Sequence, residues 1–83
     1  MLLMNNLIDL GQAYRKERKA LGKTQAQIAS NASLRRETII RIEAGQNVDT
    51  LTLLKAISAL GKGLAITSIR PNYDNLESTF SED

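Results

Sequence analysis

Residues 24–45, TQAQIASNASLRRETIIRIEAG, decide how this chain of 83 residues folds. The stretch predicts two short helices joined by a tight turn. Thr24 and Gln27 have the spacing of a capping box, in which each side chain bonds the other's backbone amide, so the first helix begins here. The polar cluster at residues 31–33 predicts the turn. The inner face of the first helix is expected to contain Ile28, Ala29 and Ala32.

The second helix of the stretch is predicted over residues 34–44, and Gly45 ends it. The residues of this predicted helix divide into two sides, because residues three or four apart lie on the same side of a helix. The buried side is predicted to contain Leu34, Ile39 and Ile42. The outward side is predicted to contain Arg36, Glu37, Ile40 and Arg41. A helix that reads DNA needs such a division, since one side fixes its angle and the other reaches base edges.

The outward residues suit the edges of base pairs in the major groove. Arg36 and Arg41 can each fork onto the O6 and N7 atoms of guanine, a contact that discriminates by about 1–3 kcal/mol. Glu37 could accept from cytosine N4 or orient an arginine. Ile40 fits a thymine methyl group, or alternatively packs against a neighbour or a second copy. Thr24 and Gln25 lie at a helix N-terminus, where free amides favour a phosphate.

The flanking segments predict two more helices. Residues 6–21 carry an apolar stripe and stop at Gly22. The stripe consists of Leu7, Leu10, Tyr14 and Leu21. Residues 51–60 form a broadly apolar helix, which Thr50 is expected to cap and Gly61 to end.

Residues 62–70, KGLAITSIR, change to the alternating pattern of a strand, and Pro71 ends it. A lone strand is not stable, and no other segment reads as its partner. Antiparallel pairing with the same strand of a second copy would satisfy both edges, which predicts a homodimer. The pairing residues are predicted to be Leu64, Ala65, Ile66, Thr67, Ser68 and Ile69.

Composition excludes several classes of function. The chain has no cysteine and no histidine, so it lacks the usual acid–base group and thiolate metal ligands, and we expect neither an enzyme nor a metal or cofactor site. The apolar residues 1–4 lack the features of a signal peptide, which predicts a soluble cytoplasmic protein. Eleven bases against five acids give residues 1–70 a net charge of +6, whereas residues 71–83 carry −4. A basic body suggests a polyanionic partner, although such charge can also be ordinary solvated surface.

The acidic segment 71–83 is predicted to be a flexible tail. Tyr73, Leu76 and Phe80 could form a docking motif within it, or the tail could simply improve solubility. The predicted organisation is thus a DNA-binding domain at 1–61, a dimerisation strand at 62–70 and the tail.

Residues 10–61 resemble the Cro and phage-repressor (XRE) type of helix-turn-helix domain. The matching positions are Arg15 and Arg18, Thr24-Gln25 with Ile28-Ala29, Ile39-x-x-Ile42-Glu43-x-Gly45, and Leu53-Leu54-x-x-Ile57-x-x-Leu60-Gly61. The resemblance implies an all-α, lambda-repressor-like fold of four to five helices and a structural ion pair between Arg18 and Glu43. DNA contacts are then expected at Thr24, Gln25, Arg35, Arg36, Glu37, Thr38, Ile40, Arg41, Gln46 and Asn47.

Two positions depart from that pattern. Ser33 stands where the family has a turn glycine, which predicts either strain in the turn or a shifted turn geometry. Arg35 stands where a small capping residue is common, so that Ser33 could cap the third helix instead.

A strand directly after the fourth helix also resembles the architecture of HipB-type antitoxins. This predicts a homodimeric repressor that binds a palindromic operator in double-stranded DNA and serves as the autoregulating antitoxin of a HipA-like kinase toxin. The alternatives are a stand-alone XRE-type regulator and, from another class, a protein-interaction module that does not bind DNA.

Overall fold

The structure is a computed structural model, and it describes residues 4–68. Four helices follow one another in the chain: α1 (Leu7–Ala20), α2 (Gln25–Ala32), α3 (Arg36–Glu43) and α4 (Thr50–Ala59). The predicted all-α fold is therefore confirmed. Across residues 4–68, no helix has the length and apolar character that crossing a membrane requires.

Side chains cap the starts of three helices. The capping box of α2 is present as predicted, since Gln27 N donates to Thr24 Oγ1 over 3.1 Å and Thr24 N donates to Gln27 Oε1 over 2.9 Å. The prediction that Thr50 caps α4 is wrong. Asp49 caps it instead, because its carboxylate accepts from Thr52 N over 2.7 Å, and Thr50 is the first helical residue. This hydrogen bond lowers the pKa of Asp49. Asn6 caps α1.

All four helices end in the same way, with one residue in the left-handed conformation. Three of these residues are glycines, and the fourth is Ser33, at φ 57° and ψ 41°. After α2 the chain closes through a hydrogen bond from Leu34 N to Ala29 O of 2.9 Å. A side chain makes this conformation costly by roughly 1–2 kcal/mol. The helix also runs through Asn31 and Ala32, so the turn begins later than residues 31–33 predict.

One apolar core joins the four helices. Ile28 of α2 and Ile39 of α3 are completely buried, and α3 packs against both α1 and α2 while α4 packs against α2. The predicted inner face of α2 is therefore correct, as is that of α3 at Ile39 and Ile42. Leu34, which was predicted on the buried side of the third helix, precedes α3 and packs half-buried against the core. The buried residues of this core are Tyr14, Ile28, Ala29, Ile39, Ile42, Ala56, Ile57 and Leu60.

The predicted stripe on α1 is only partly correct. Leu7 is 41% exposed and Leu21 is 50% exposed. The buried face of α1 instead contains Gly11, Tyr14 and Arg18. The helical period was predicted correctly. Apolar periodicity could not identify Gly11 and Arg18 as buried, because neither residue is a large apolar one.

Gly11 allows α1 and α3 to approach closely. A Cβ atom at this position would lie 2.8 Å from the carbonyl oxygen of Glu43, which is too short for a carbon–oxygen contact. Tyr14 then ties α1 to α4, because its hydroxyl donates to Ala56 O over 2.9 Å. The first contact sets how closely α3 packs on α1, and the second joins α1 to α4.

Residues 62–68 form neither helix nor strand in the single chain. Leu64 and Ile66 are exposed there. The strand predicted at 62–70 requires a second copy as its partner, so its pairing remains a prediction. Residues 69–83, with the end of that strand and the predicted tail, lie outside the described residues.

Candidate nucleic-acid interface

The outward side of α3 carries a cluster of long polar side chains around one apolar residue. We call this surface the reading face and define it by Arg35, Arg36, Glu37, Ile40 and Arg41. All five residues are exposed, and Ile40 is 40% exposed. Ile39 and Ile42 anchor the opposite side in the core. The predicted division of α3 into a buried and an outward side is therefore present, with Thr38 half-buried between them.

Arg35 occupies the N-cap position of α3, and no side chain makes a capping hydrogen bond there. The alternative that Ser33 caps α3 is wrong, because Ser33 ends α2 and lies two residues before the cap. Arg35 is exposed at the start of α3. The free amides of that turn and the cation of Arg35 both favour an anion.

Beneath the reading face lies the ion pair that the resemblance implies. Arg18 Nε donates to Glu43 Oε2 over 2.6 Å, and Arg18 Nη2 donates to Glu43 Oε1 over 3.1 Å. Arg18 also donates through Nη1 to Lys23 O over 2.8 Å. Hydrogen bonding to Glu43 raises the pKa of Arg18. Both charges are therefore buried, paired and held by α1 on one side and α3 on the other.

Gln25 connects this ion pair to the reading face. Its Nε2 atom donates to Glu43 Oε1 over 3.2 Å, and its Oε1 atom accepts from Arg36 Nη2 over 3.5 Å. We call the resulting series Arg18–Glu43–Gln25–Arg36 the bracing network. A phosphate contact by Gln25 remains a prediction, and the structure gives this side chain a second task that the sequence analysis missed. No local pattern could have found it, because the partner is 18 residues away in the chain.

Arg41 is oriented from the other end of α3. Its Nη2 atom donates to Asn47 O over 3.4 Å, and Gln46 N donates to Arg41 O over 2.9 Å where the helix ends. Gln46 and Asn47 themselves are exposed. The loop after α3 therefore lies beside Arg41. Its residues Gln46 and Asn47 are in a position to contact any nucleic acid that Arg41 contacts.

Thr24 lies at the start of α2, at the edge of this surface. The oxygen of its hydroxyl accepts the capping hydrogen bond, but the hydroxyl proton takes no part in that bond. Thr24 can therefore cap the helix and donate to a phosphate at the same time. The phosphate contact stays a prediction.

Within residues 4–68 no three residues of the types His, Cys, Asp or Glu come together in a way that could hold a metal ion. The two arginines of α3 in the reading face, Arg36 and Arg41, are separated by about 1.4 turns of helix. This spacing places two planar guanidinium groups on one α-helix, and an α-helix fits the major groove of DNA.

Comparisons with known proteins agree with this geometry. A family model described as "Helix-turn-helix" matches residues 15–66. The structure is similar to that of the restriction-modification controller protein C.AhdI from Aeromonas hydrophila, with 35% sequence identity and a TM-score of 0.64. That match covers 68% of this chain and 86% of the controller protein. A comparison with curated proteins gave no match.

The fold is also similar to chains of two HipB complexes. A chain of the HipA-HipB-O2-O3 complex is 20% identical, with a TM-score of 0.78 over 84% of this chain and 100% of that one. The HipB-O4 20mer complex gives the same identity, TM-score and coverage. At this identity the likeness concerns the fold.

Proposed function

The chain belongs to the helix-turn-helix family of DNA-binding regulators, in its XRE type, and we propose that it is a sequence-specific repressor that binds a palindromic operator as a homodimer. The observation that carries this proposal is the reading face: Arg36 and Arg41 are exposed on a helix whose other side is anchored in the core. Repression then needs no reaction, since an occupied operator excludes the transcription machinery. We propose that the protein acts in the cytoplasm.

The homodimer supplies the second reading face that a palindrome requires. Two recognition helices about 34 Å apart engage half-sites one helical turn apart. Leu64 and Ile66 are exposed after α4, and pairing of residues 62–70 between two copies would remove their apolar side chains from water. Leu51 of α4, 64% exposed, offers a further apolar contact for the second copy.

In this proposal the repressor also has a protein partner. The partner is a HipA-like kinase toxin, and the repressor is its antitoxin. The similarity of the fold to a chain of the HipA-HipB-O2-O3 complex supports this part. The alternative is a stand-alone regulator, and the higher identity to a restriction-modification controller protein favours it. Co-purification of a kinase with the tagged chain separates the two, and purification of the chain alone from its native cells would contradict the antitoxin role.

DNA reading is tested with the double variant Arg36→Ala/Arg41→Ala. The operator is first selected from random DNA, and the affinities for operator and random duplexes are then measured at several salt concentrations. Two bidentate contacts of about 1–3 kcal/mol each predict that the operator-to-random ratio falls at least about 30-fold. Affinity of the parent chain should fall with salt, at a log–log slope of about −0.9 per neutralised phosphate.

The matched control is Lys19→Ala/Lys55→Ala, which removes the same charge from exposed positions of α1 and α4. It should weaken binding to both duplexes alike and leave the ratio unchanged. An unchanged ratio in the arginine variant would refute the assignment of the reading face. Absence of any DNA binding by the parent chain would favour a protein-interaction module.

A further inference from the structure

An open apolar groove lies on the side of the molecule formed by α1, the end of α4 and the segment that follows α4. It has a volume of about 530 Å³. We call it the α1/α4 groove. Its apolar wall contains Leu10, Ala13, Ile57, Leu60 and Leu64. None of its lining residues belongs to α2 or α3.

The groove also has charged edges. Lys16 and Lys62 line it together with a single acid, Glu17, so that its rim carries a net positive charge. Leu64 is 54% exposed and lines the groove together with the buried Leu60. An apolar wall with a cationic rim fits a segment that combines apolar side chains with carboxylates.

The chain itself contains such a segment just beyond the described residues. Tyr73, Leu76 and Phe80 recur at spacings of three and four, which would place them on one face of a helix. Four acids accompany them and no base follows Arg70. The segment is therefore complementary to the groove in both its apolar side chains and its charge.

We propose that residues 73–80 of the chain dock into the α1/α4 groove of the same chain, with Tyr73, Leu76 and Phe80 against its apolar wall. Asp74 and Glu77 then lie near Lys16 and Lys62. The chain leaves the groove at Leu64, and the eight residues 65–72 can span at most about 26–29 Å. Docking therefore requires the chain to turn back at residues 71–72, after the strand proposed at 62–70, so that residues 73–80 run back towards the groove. The docking holds the acidic tail on α1 and α4, and so keeps its carboxylates away from the reading face.

The test uses the full chain and a spin label. Because the chain contains no cysteine, Ser81→Cys creates a unique attachment site for a nitroxide next to the docking segment. Amide signals of the isotope-labelled protein are compared with the nitroxide oxidised and reduced. The docking predicts that the signals of Leu10, Ala13 and Leu60 broaden strongly, whereas those of Arg36 and Arg41 do not.

Two pairs of variants make the test specific. Leu76→Ser/Phe80→Ser should reduce the broadening at least by half, whereas Asn75→Ala/Ser78→Ala, which alters the opposite side of the segment, should preserve it. Lys16→Glu should also reduce it, but Lys19→Glu, on the same helix and outside the groove, should not. Circular dichroism of each variant checks that its helices remain folded.

Three results would overturn the proposal. Broadening centred on Arg36 and Arg41 would mean that the tail binds the reading face through charge alone. Broadening that appears only between a labelled chain and a separate spin-labelled chain would assign the groove to the tail of a second copy. Uniform weak broadening, unchanged by Leu76→Ser/Phe80→Ser, would mean that the segment does not dock. The proposal does not depend on DNA binding, and its failure would leave the repressor function untouched.

Discussion

Glu43 accepts hydrogen bonds from two side chains, Arg18 and Gln25, that lie on two different helices. Its side chain is only 6% exposed, and that of Arg18 is 9% exposed. Two charges removed from water in this way are stable only as a pair, because either one alone would be buried without compensation. The stability of the whole domain therefore depends on both members of the pair.

Glu43→Gln should lower the free energy of unfolding by about 3–5 kcal/mol, since it leaves the charge of Arg18 buried and unpaired. Chemical denaturation followed by circular dichroism measures this. The double variant Arg18→Met/Glu43→Leu removes both charges, and we expect it to recover most of the loss. A loss below 1 kcal/mol in Glu43→Gln would mean that water reaches Arg18 in solution.

Tyr14 makes folding sensitive to alkaline pH. Burial, together with the nearby charge of Glu43, raises the pKa of Tyr14 to about 12, although Arg18 acts in the opposite direction. The unfolded chain ionises this phenol near pH 10. The contribution of Tyr14 to stability is therefore complete below pH 10 and is lost as the pH rises towards 12.

Tyr14→Phe should cost about 1 kcal/mol at neutral pH, because the hydrogen bond to Ala56 O is lost. Between pH 10 and 12 the variant should lose less stability than the parent chain does. Denaturation at a series of pH values measures both effects. Comparison of Tyr14→Phe with the double variant Tyr14→Phe/Tyr73→Phe separates the contribution of the second tyrosine to the alkaline loss of stability.

At the scale of elements, the turn between α2 and α3 carries the strain that its sequence predicts. Ser33→Gly should raise the free energy of unfolding by roughly 1 kcal/mol, since relief of the left-handed strain outweighs the added freedom of the unfolded chain. Thermal unfolding measures the change. Ser30→Gly, inside α2 and also exposed, should lower stability instead. If Ser33→Gly also destabilised the domain, the turn would not be strained in solution.

The helices themselves were predictable because each one carries a local signal. The capping box of Thr24 and Gln27 predicted the start of α2. The positions of Ile39 and Ile42 around the helix axis predicted the buried side of α3. The cap of α4 was assigned to the wrong residue, since Asp49 and Thr50 are adjacent and both types cap well. Only the hydrogen bond from Thr52 N distinguishes them.

Tertiary contacts explain what the sequence could not predict. Leu7 and Leu21 are exposed because the neighbouring helices cover only the middle of α1, where Gly11 and Arg18 are buried. The outward position of Arg36 follows from its place in α3, but its contact with Gln25 depends on how α2 and α3 cross. A residue pattern contains no information about that crossing until the core is packed.

At the scale of the molecule, the proposed homodimer depends on the strand predicted at residues 62–70. Deletion of residues 62–83 should yield a monomer in sedimentation experiments, because it removes the predicted strand. Deletion of residues 71–83 alone is the control and should preserve the dimer. If the longer deletion left a dimer, Leu51 and Leu54 of α4 would be the next interface to test, since both are exposed.

The bracing network has a consequence for any attempt to redesign the operator preference of this protein. Arg36 cannot be replaced without regard to its neighbours, because its side chain bonds Gln25, and Gln25 also bonds the buried carboxylate of Glu43. A shorter or acidic residue at 36 would alter Gln25 and, through it, the surroundings of Glu43. Libraries that randomise positions 25 and 36 together should therefore yield more folded, selective variants than libraries that randomise 36 alone.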